Sequence, residues 1–115
     1  MKNKKKLYSI SLASIVIILM LVGIAGAAPF AYITNMDDDS VSVIDISDNH
    51  IVNTLDVGVT PIGVAVNPAG TRAYVANSNS NTVSVIDTTT NTVIEAATVY
   101  GLNSPRGIAV NPEGT

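Results

Sequence analysis

The stretch AYVANSNSNTVSVID at residues 73–87 occurs twice in this chain of 115 residues, and the earlier copy reads AYITNMDDDSVSVID at 31–45. Each copy is followed by a second related string, PIGVAVNPAGT at 61–71 and PRGIAVNPEGT at 105–115. The copies of the first string are 42 residues apart and those of the second are 44 apart, so the later unit is longer by two residues. The repeat points to an architecture before it points to any chemistry.

The length of the repeat predicts a fold. A period of about 40–45 residues is typical of one four-stranded blade of a β-propeller. We divide the repeat region, 28–115, into a first unit at 31–72 and a second at 73–115. Within the units, runs of Val, Ile, Tyr and Thr are separated by clusters of Asn, Asp, Ser, Gly and Pro, as in short strands joined by turns. The sequence therefore predicts an all-β fold with about two antiparallel blades.

The predicted strands are short. They cover residues 31–35, 40–46 and 50–57 in the first unit, 62–66, 73–77, 82–87 and 92–99 in the second, and 107–110 at the start of a third. The strings Asn-Pro-Ala-Gly and Asn-Pro-Glu-Gly predict β-turns at 67–70 and 111–114, with proline at the second position and glycine at the fourth. No segment after residue 27 has a sustained apolar period of 3.6 residues, so we predict no helix there.

Apolar residues stand side by side in these strands, as at 83–86, instead of alternating with polar ones. This pattern is typical of sheets covered on both faces, which is the situation of stacked blades. Gly63 and Gly107 occupy matched positions in an apolar strand and predict a close approach of two backbones near a crowded axis. The small residues Ala65 and Ala109 fit the same place.

The repeated strings resemble a known family. They are similar to the YVTN-type β-propeller repeat, which is common in secreted bacterial and archaeal proteins, including archaeal surface-layer proteins. The matching strings are AYVAN at 73–77, TVSVIDT at 82–88, NTVI at 91–94 and PRGIAVNPEG at 105–114. The resemblance covers residues 31–115, with Ile33 in place of the usual valine and Ala76 in place of the usual threonine.

The resemblance implies a strand order. The Gly-x-Ala-Val strand is expected innermost in each blade and the Thr-Val-Ile strand outermost. The chain then holds the last three strands of one blade, one complete blade and the first strand of a third. The family has no shared catalytic residues, so the resemblance implies a scaffold and a compartment.

Two blades do not close a ring, because propellers use roughly four to eight. Two blades alone expose sheet faces and strand edges that are suited to further copies. We therefore expect this chain to be the N-terminal part of a longer protein. The alternative is a short protein that oligomerises into a ring.

The first 27 residues have the pattern of a secretory signal peptide, with four lysines among the first six residues, an apolar run densest at 15–24 and small residues at 25–28. Cleavage is predicted between Ala27 and Ala28. The alternative is an uncleaved membrane anchor over residues 7–28, which is long enough to span a bilayer. Both interpretations place the rest of the chain outside the cytoplasm, whether secreted, at the cell surface or in a periplasm, because the lysine side stays inside.

Charge and composition exclude several functions. After residue 27 the chain has two arginines against nine Asp and Glu, a formal balance of −7. An acidic surface of this kind disfavours nucleic acid, and contact with a membrane is expected only through the N-terminal segment. The absence of cysteine excludes disulfides and thiolate metal sites.

The sharpest polar cluster is Asp37, Asp38 and Asp39. Closely spaced carboxylates at a turn are candidate Ca²⁺ ligands. The same turn in the second unit is Ser-Asn-Ser-Asn at 78–81, without charge, which favours a solvated hairpin loop. We therefore predict no metal site and no cofactor, with the three aspartates as weak candidates for a metal.

Other polar residues receive structural interpretations. Asp45 and Asp87 end matched strands, and we expect each to accept hydrogen bonds from the following turn. His50 is the only histidine and opens a predicted outermost strand, so we do not interpret it as a catalytic base. Tyr32 and Tyr74 are matched and are expected to pack, with a hydroxyl at the rim.

Two functional hypotheses remain. The first is a non-enzymatic secreted or cell-surface β-propeller, a structural or binding scaffold of the surface-layer or adhesion type, with protein or cell-envelope components as partners. The second is the N-terminal part of an extracytoplasmic propeller enzyme or redox subunit, lactonase-like, whose site is formed by further blades. The predicted inner strands at 62–66 and 107–110 contain no His, Asp or Glu.

Overall fold

The computed structural model describes residues 29–114, and the predicted signal peptide with its cleavage point at Ala27 and Ala28 lies outside this range. The described chain forms seven strands in two antiparallel sheets. They are β1 (Phe30–Asn35), β2 (Ser40–Asp45), β3 (His50–Asp56), β4 (Pro61–Val66), β5 (Arg72–Asn77), β6 (Thr82–Asp87) and β7 (Thr92–Val93). Within 29–114, the structure has no helix of the length and apolarity needed to cross a membrane.

Both sheets are meanders in which neighbours in sequence are neighbours in space. The first sheet has the order β1-β2-β3 and the second β4-β5-β6-β7. All registers are antiparallel, and β1 and β2 pair from Phe30 with Asp45 to Asn35 with Ser40. Three strands of one blade followed by one four-stranded blade is the arrangement that the family resemblance implied, so the all-β blade architecture is confirmed.

One predicted strand is wrong in extent. The strand predicted at 92–99 reduces to Thr92–Val93, is interrupted by a 3₁₀ turn at Glu95–Ala97, and resumes only as a bridge between Val99 and Val83. Glu and Ala are weak strand formers. The first unit has Asn-Thr-Leu at the corresponding positions, and its Leu55 is buried.

The strand predicted at 107–110 is not formed. This segment belongs to neither sheet of the described chain, because a strand requires a hydrogen-bonded neighbour. The prediction of no helix after residue 27 holds for α-helices in the described range, where the only helical elements are the 3₁₀ turns Met36–Asp38 and Glu95–Ala97.

The turns repeat in conformation even where their residues differ. All but one of the left-handed positions fall in matched pairs: Asp39 and Asn81 (φ 54° and 58°), Asn49 and Asn91 (61° and 51°), Thr60 and Ser104 (58° and 44°), and Gly70 and Gly114 (69° and 67°), whereas Gly101 (81°) has no counterpart. Asp, Asn and Gly tolerate this region at the smallest cost. The predicted β-turns are confirmed, since the Gly70 N–H donates to the Asn67 carbonyl at 2.8 Å and the Gly114 N–H to the Asn111 carbonyl at 3.0 Å.

The core lies between the two sheets. The first sheet contributes its tyrosine face, which we define as Tyr32, Val41, Val43 and Leu55. The second sheet contributes its alanine face, defined as Ala73, Val75 and Ile86, all fully buried. By the repeat, the second sheet has its own tyrosine face (Tyr74, Val83, Val85) and the first its own alanine face (Ala31, Ile33, Ile44). The sheets therefore pack head to tail.

Gly63 confirms the predicted close approach of two backbones. A Cβ built on this residue would lie 2.3 Å from the carbonyl oxygen of Arg106, which precedes the matched Gly107 of the next unit. Real Cβ atoms do not tolerate that distance, so only glycine fits here. The same prediction for Gly107 is not met in the described chain, because a Cβ there would have no atom within 4 Å.

Candidate functional site

The three aspartates of the first hairpin are separated by the fold. Asp37 and Asp38 lie exposed in the 3₁₀ turn. Asp39 is half-buried, and its Oδ1 accepts a hydrogen bond of 2.8 Å from the Thr60 N–H. Its counterpart Asn81 does the same in the second unit, where its Oδ1 accepts from the Ser104 N–H at 2.9 Å. The Asp39 carboxylate therefore fixes the connection to the next blade, a task that a neutral amide performs equally.

Within residues 29–114, no three His, Asp or Glu side chains are grouped so that they could hold a metal ion. Of the three candidate ligands, Asp39 is already engaged with the backbone.

Asp45 and Asp87 accept hydrogen bonds from the turns that follow them, as predicted. The Oδ1 of Asp45 accepts from the Ser47 hydroxyl at 2.6 Å and its N–H at 2.9 Å. The Oδ1 of Asp87 accepts from the Thr89 hydroxyl at 2.5 Å and its N–H at 2.9 Å. These hydrogen bonds hold the pKa of both carboxyls below the ordinary value of 3.8, and the bond from the side-chain hydroxyl has a larger effect than the bond from the backbone N–H. Arg72 Nη1 lies 3.3 Å from Asp87 Oδ2, and its positive charge also favours the ionised Asp87 carboxylate.

His50 is a surface residue at the start of β3. Its side chain is 78% exposed and lies in no cleft of the described chain, although its Nδ1 is 3.0 Å from the Asp48 backbone oxygen and 3.4 Å from Asp48 Oδ1. A general base needs an orienting partner and a cleft. The position of His50 at the solvent-exposed start of its strand agrees with the structural interpretation.

The two matched tyrosines have different roles. The Tyr32 hydroxyl crosses between the sheets and donates to Asn91 Oδ1 at 2.7 Å. Burial, with a smaller effect from the nearby Asp87, raises the pKa of Tyr32. Asn53 adds a second bond to the same residue, from its Nδ2 to the Asn91 carbonyl at 3.1 Å. Tyr74 lies beside Ile108 and the segment that follows. The Tyr32 hydroxyl thus joins the two sheets and does not lie at the rim as predicted. We call its hydrogen bond to Asn91 the inter-sheet latch.

An amide–hydroxyl cluster that was not predicted from the sequence is repeated in the two units. Asn77 Nδ2 donates to Thr82 Oγ1 at 3.0 Å and to Ser84 Oγ at 2.9 Å. Asn35 makes the same two bonds in the first unit, at 3.0 and 2.9 Å, to Ser40 and Ser42. The signal was present, because an Asn and two hydroxyl residues recur at the same spacing in both units. In the described chain, the fully buried Oδ1 of Asn77 has no hydrogen-bond partner.

A cleft of about 300 Å³ opens between the two sheets. Its walls come from the end of β3, the start of β6 and the segment after β7. The residues that line it are Asp56, Val57, Gly58, Ser80, Thr82, Ser84, Val93, Glu95, Thr98 and Tyr100. The lining contains two carboxylates and five hydroxyls but no basic side chain, so the cleft favours neutral or cationic ligands over anions.

The two carboxylates of this cleft, Asp56 and Glu95, are not among the residues that the sequence singled out. Neither is repeated: the counterpart of Asp56 is Thr98, and that of Glu95 is Asn53. Departure from the repeat was therefore the available signal, whereas matched residues such as Asp45 and Asp87 serve the fold.

Several solved structures are similar to this chain. Hydrazine synthase from Kuenenia stuttgartiensis is 29% identical with a TM-score of 0.71, over 77% of this chain. A functionally unknown protein from Desulfotomaculum acetoxidans DSM 771 is 23% identical with a TM-score of 0.65, also over 77%. The dihydro-heme d1 dehydrogenase NirN is 23% identical with a TM-score of 0.64, again over 77%.

The similarity fixes the fold class. The neighbours are β-propeller-type proteins, so the two sheets are propeller blades. The matches cover 25%, 30% and 18% of the three neighbouring chains, so this chain spans less than a third of the length of each. No protein-family model matches the sequence, and no curated protein matches it.

Proposed function

We propose that this chain is part of a non-enzymatic, extracytoplasmic β-propeller that acts as a structural or binding scaffold, of the surface-layer or adhesion type. The observation that carries the proposal is that three aspartates singled out by the sequence have structural roles. Asp39, Asp45 and Asp87 each accept a backbone N–H hydrogen bond, so they serve the turns of the repeat. The repeated geometry gives a rigid frame, and its variable loops present the contact surface.

Export is the second part of the proposal, and it rests on residues 1–27. A basic start, an apolar middle and small residues before Ala28 are the features that a signal peptidase reads. The resemblance to the YVTN-type repeat and the acidic balance of the remaining chain agree with a surface or secreted location and with protein or envelope partners.

The test is to express the full chain with a C-terminal tag and follow the tag on intact cells. We expect external protease to digest the tag and the mature protein to begin at Ala28 by intact mass. A control with leucine in place of Ala25 and Ala27 should keep the larger mass and remain in the membrane fraction. A tag that stays protected in the cytoplasm would overturn the proposal.

A place in a redox enzyme is the second candidate function, favoured by the names of two structural neighbours, hydrazine synthase and dihydro-heme d1 dehydrogenase. The scaffold proposal predicts that the exported protein, purified from a haem-replete host, has no visible absorption. A stoichiometric absorption band would favour the redox candidate instead.

A further inference from the structure

The cleft between the sheets is built by the two sheets alone. Its walls lie between residues 56 and 100, on β3, β6 and the segments that follow β3 and β7. Its volume of about 300 Å³ is at the lower end of the range for small-molecule sites. All of its lining residues belong to these two sheets and to the segments that connect or follow their strands.

The β6 wall presents hydroxyl donors. Ser84 and Thr82, 4% and 8% exposed, accept the two N–H groups of Asn77. Ser80 Oγ accepts from the Val59 N–H at 3.0 Å and lies 3.0 Å from Thr82 Oγ1. A hydroxyl that already accepts still has its own proton to donate. The Ser84 proton and one of the Ser80–Thr82 pair therefore have no acceptor in the described chain.

The opposite side and the outer rim present acceptors. Asp56 and Glu95 are exposed carboxylates, and within residues 29–114 neither forms an ion pair. A carboxylate accepts hydrogen bonds from ligand hydroxyls at up to four lone-pair positions. The cleft thus pairs donors on one wall with acceptors at its rim, which suits a ligand whose groups both donate and accept.

An aromatic ring stands at the mouth. Tyr100 is 72% exposed and precedes Gly101, in the part of the second unit that is longer than the first. Tyr100 is the aromatic residue among those that line the cleft. Its face can cover an apolar ligand face, while Val57 and Val93 supply apolar surface inside the cleft.

We propose that this cleft binds a neutral saccharide, one or a few pyranose units of a larger glycan. A pyranose has hydroxyls that donate and accept around its edge and an apolar C–H face, which matches the hydroxyl wall, the two carboxylates and Tyr100. The lack of a basic lining residue disfavours acidic sugars and phosphates. This inference rests on the proposed binding role and gives it a ligand class.

The experiment titrates the exported full chain with neutral trisaccharides (maltotriose, cellotriose, mannotriose and chitotriose) and with sialyllactose as the acidic comparison. Tyrosine fluorescence reports binding, because the chain has no tryptophan. We expect at least one neutral sugar to bind in the millimolar range or tighter, and sialyllactose to bind more weakly.

Variants locate the site. Tyr100→Ala, at an exposed position, should weaken binding about tenfold, as for the loss of an aromatic anchor. Glu95→Gln should weaken it less, and the control Ser42→Ala, at the counterpart of Ser84 and outside the cleft, should leave it unchanged. A loss in Glu95→Gln with folding intact by circular dichroism supports the site independently of Tyr100.

Three results would overturn the inference. They are no response to any neutral sugar, a sugar affinity in both Tyr100→Ala and Glu95→Gln equal to that of the unmodified protein, and a response to Ca²⁺ but to no sugar. Failure of export with sugar binding intact would instead remove the proposed location and leave the cleft assignment standing.

Discussion

At the scale of single residues, the same backbone geometry is specified by different side chains. Asp39 and Asn81 both adopt a left-handed conformation and both accept a hydrogen bond from the residue that leads into the next blade. Charge is thus incidental at this position, and the run of three aspartates is a misleading signal for metal. Asp45 and Asp87 were predictable, because an aspartate repeated at a strand end has one common use, to cap the following turn.

Gly63 is the residue at which a single methyl group has the largest expected effect. Gly63→Ala places a Cβ against the Arg106 carbonyl, so the segment around residue 106 must move. We expect a destabilisation of about 1–3 kcal/mol and faster amide exchange at 105–110. Gly107→Ala is the matched control, since its Cβ meets no atom within 4 Å in the described chain. Equal effects of the two substitutions would contradict the close approach.

Asp87 makes the stability of the folded chain depend on pH in the acidic range. Its pKa is held below 3.8 in the folded chain, so its contribution to stability is complete above about pH 3.8 and is lost as pH falls through the lower folded-state value. Asp87→Asn keeps an oxygen acceptor for Thr89 but removes the titration. Urea unfolding below that pH should show a shallower decline in this variant, and Asp45→Asn should act in the same direction. A decline as steep as that of the unmodified protein would show that Asp87 does not contribute.

At the scale of elements, strand order and turn positions could be predicted, but strand extent could not. The turns are local in origin, since Asn, Asp and Gly at matched positions select the same left-handed conformations. The length of the outermost strand is not set by local sequence alone. Val93 and Ile94 favour a strand, but the chain turns into a 3₁₀ helix at Glu95–Ala97. Likewise, residues 107–110 have the composition of a strand, but composition cannot supply the neighbour that a strand pairs with.

The inter-sheet latch gives a prediction at this scale. Tyr32→Phe removes the hydroxyl that donates to Asn91 and leaves the ring packed, at an expected cost of about 1 kcal/mol. Tyr74→Phe is the control, because within the described chain the Tyr74 hydroxyl makes no hydrogen bond. Thermal melts of the two variants should separate them. A smaller loss for Tyr32→Phe than for Tyr74→Phe would contradict the latch.

At the scale of the whole molecule, each sheet has two different apolar faces, and the tyrosine face of one packs on the alanine face of the next. Val75 on the covered alanine face is fully buried, whereas its counterpart Ile33 on the first sheet is 48% exposed. Ile51, on the same outer side as Ile33, is 64% exposed. A head-to-tail interface of this kind propagates from copy to copy, and closes only into a ring.

The repeat predicted this stacking because each unit carries both faces. The cleft was beyond sequence reasoning for a different reason. Asp56, Ser84 and Tyr100 come from three separate segments, and only the crossing of the two sheets brings them to one opening. Residues outside the repeat pattern were visible in the sequence, but their convergence was not.

The most direct test of head-to-tail stacking is equilibrium urea unfolding of the chain with none, one or two further copies of residues 73–115 appended after Thr115. Stacking predicts that the unfolding free energy and the denaturant slope both rise with each copy, because every added unit packs a new alanine face on the tyrosine face of the unit before it. Copies that unfold in separate transitions, with the original midpoint unchanged, would contradict it.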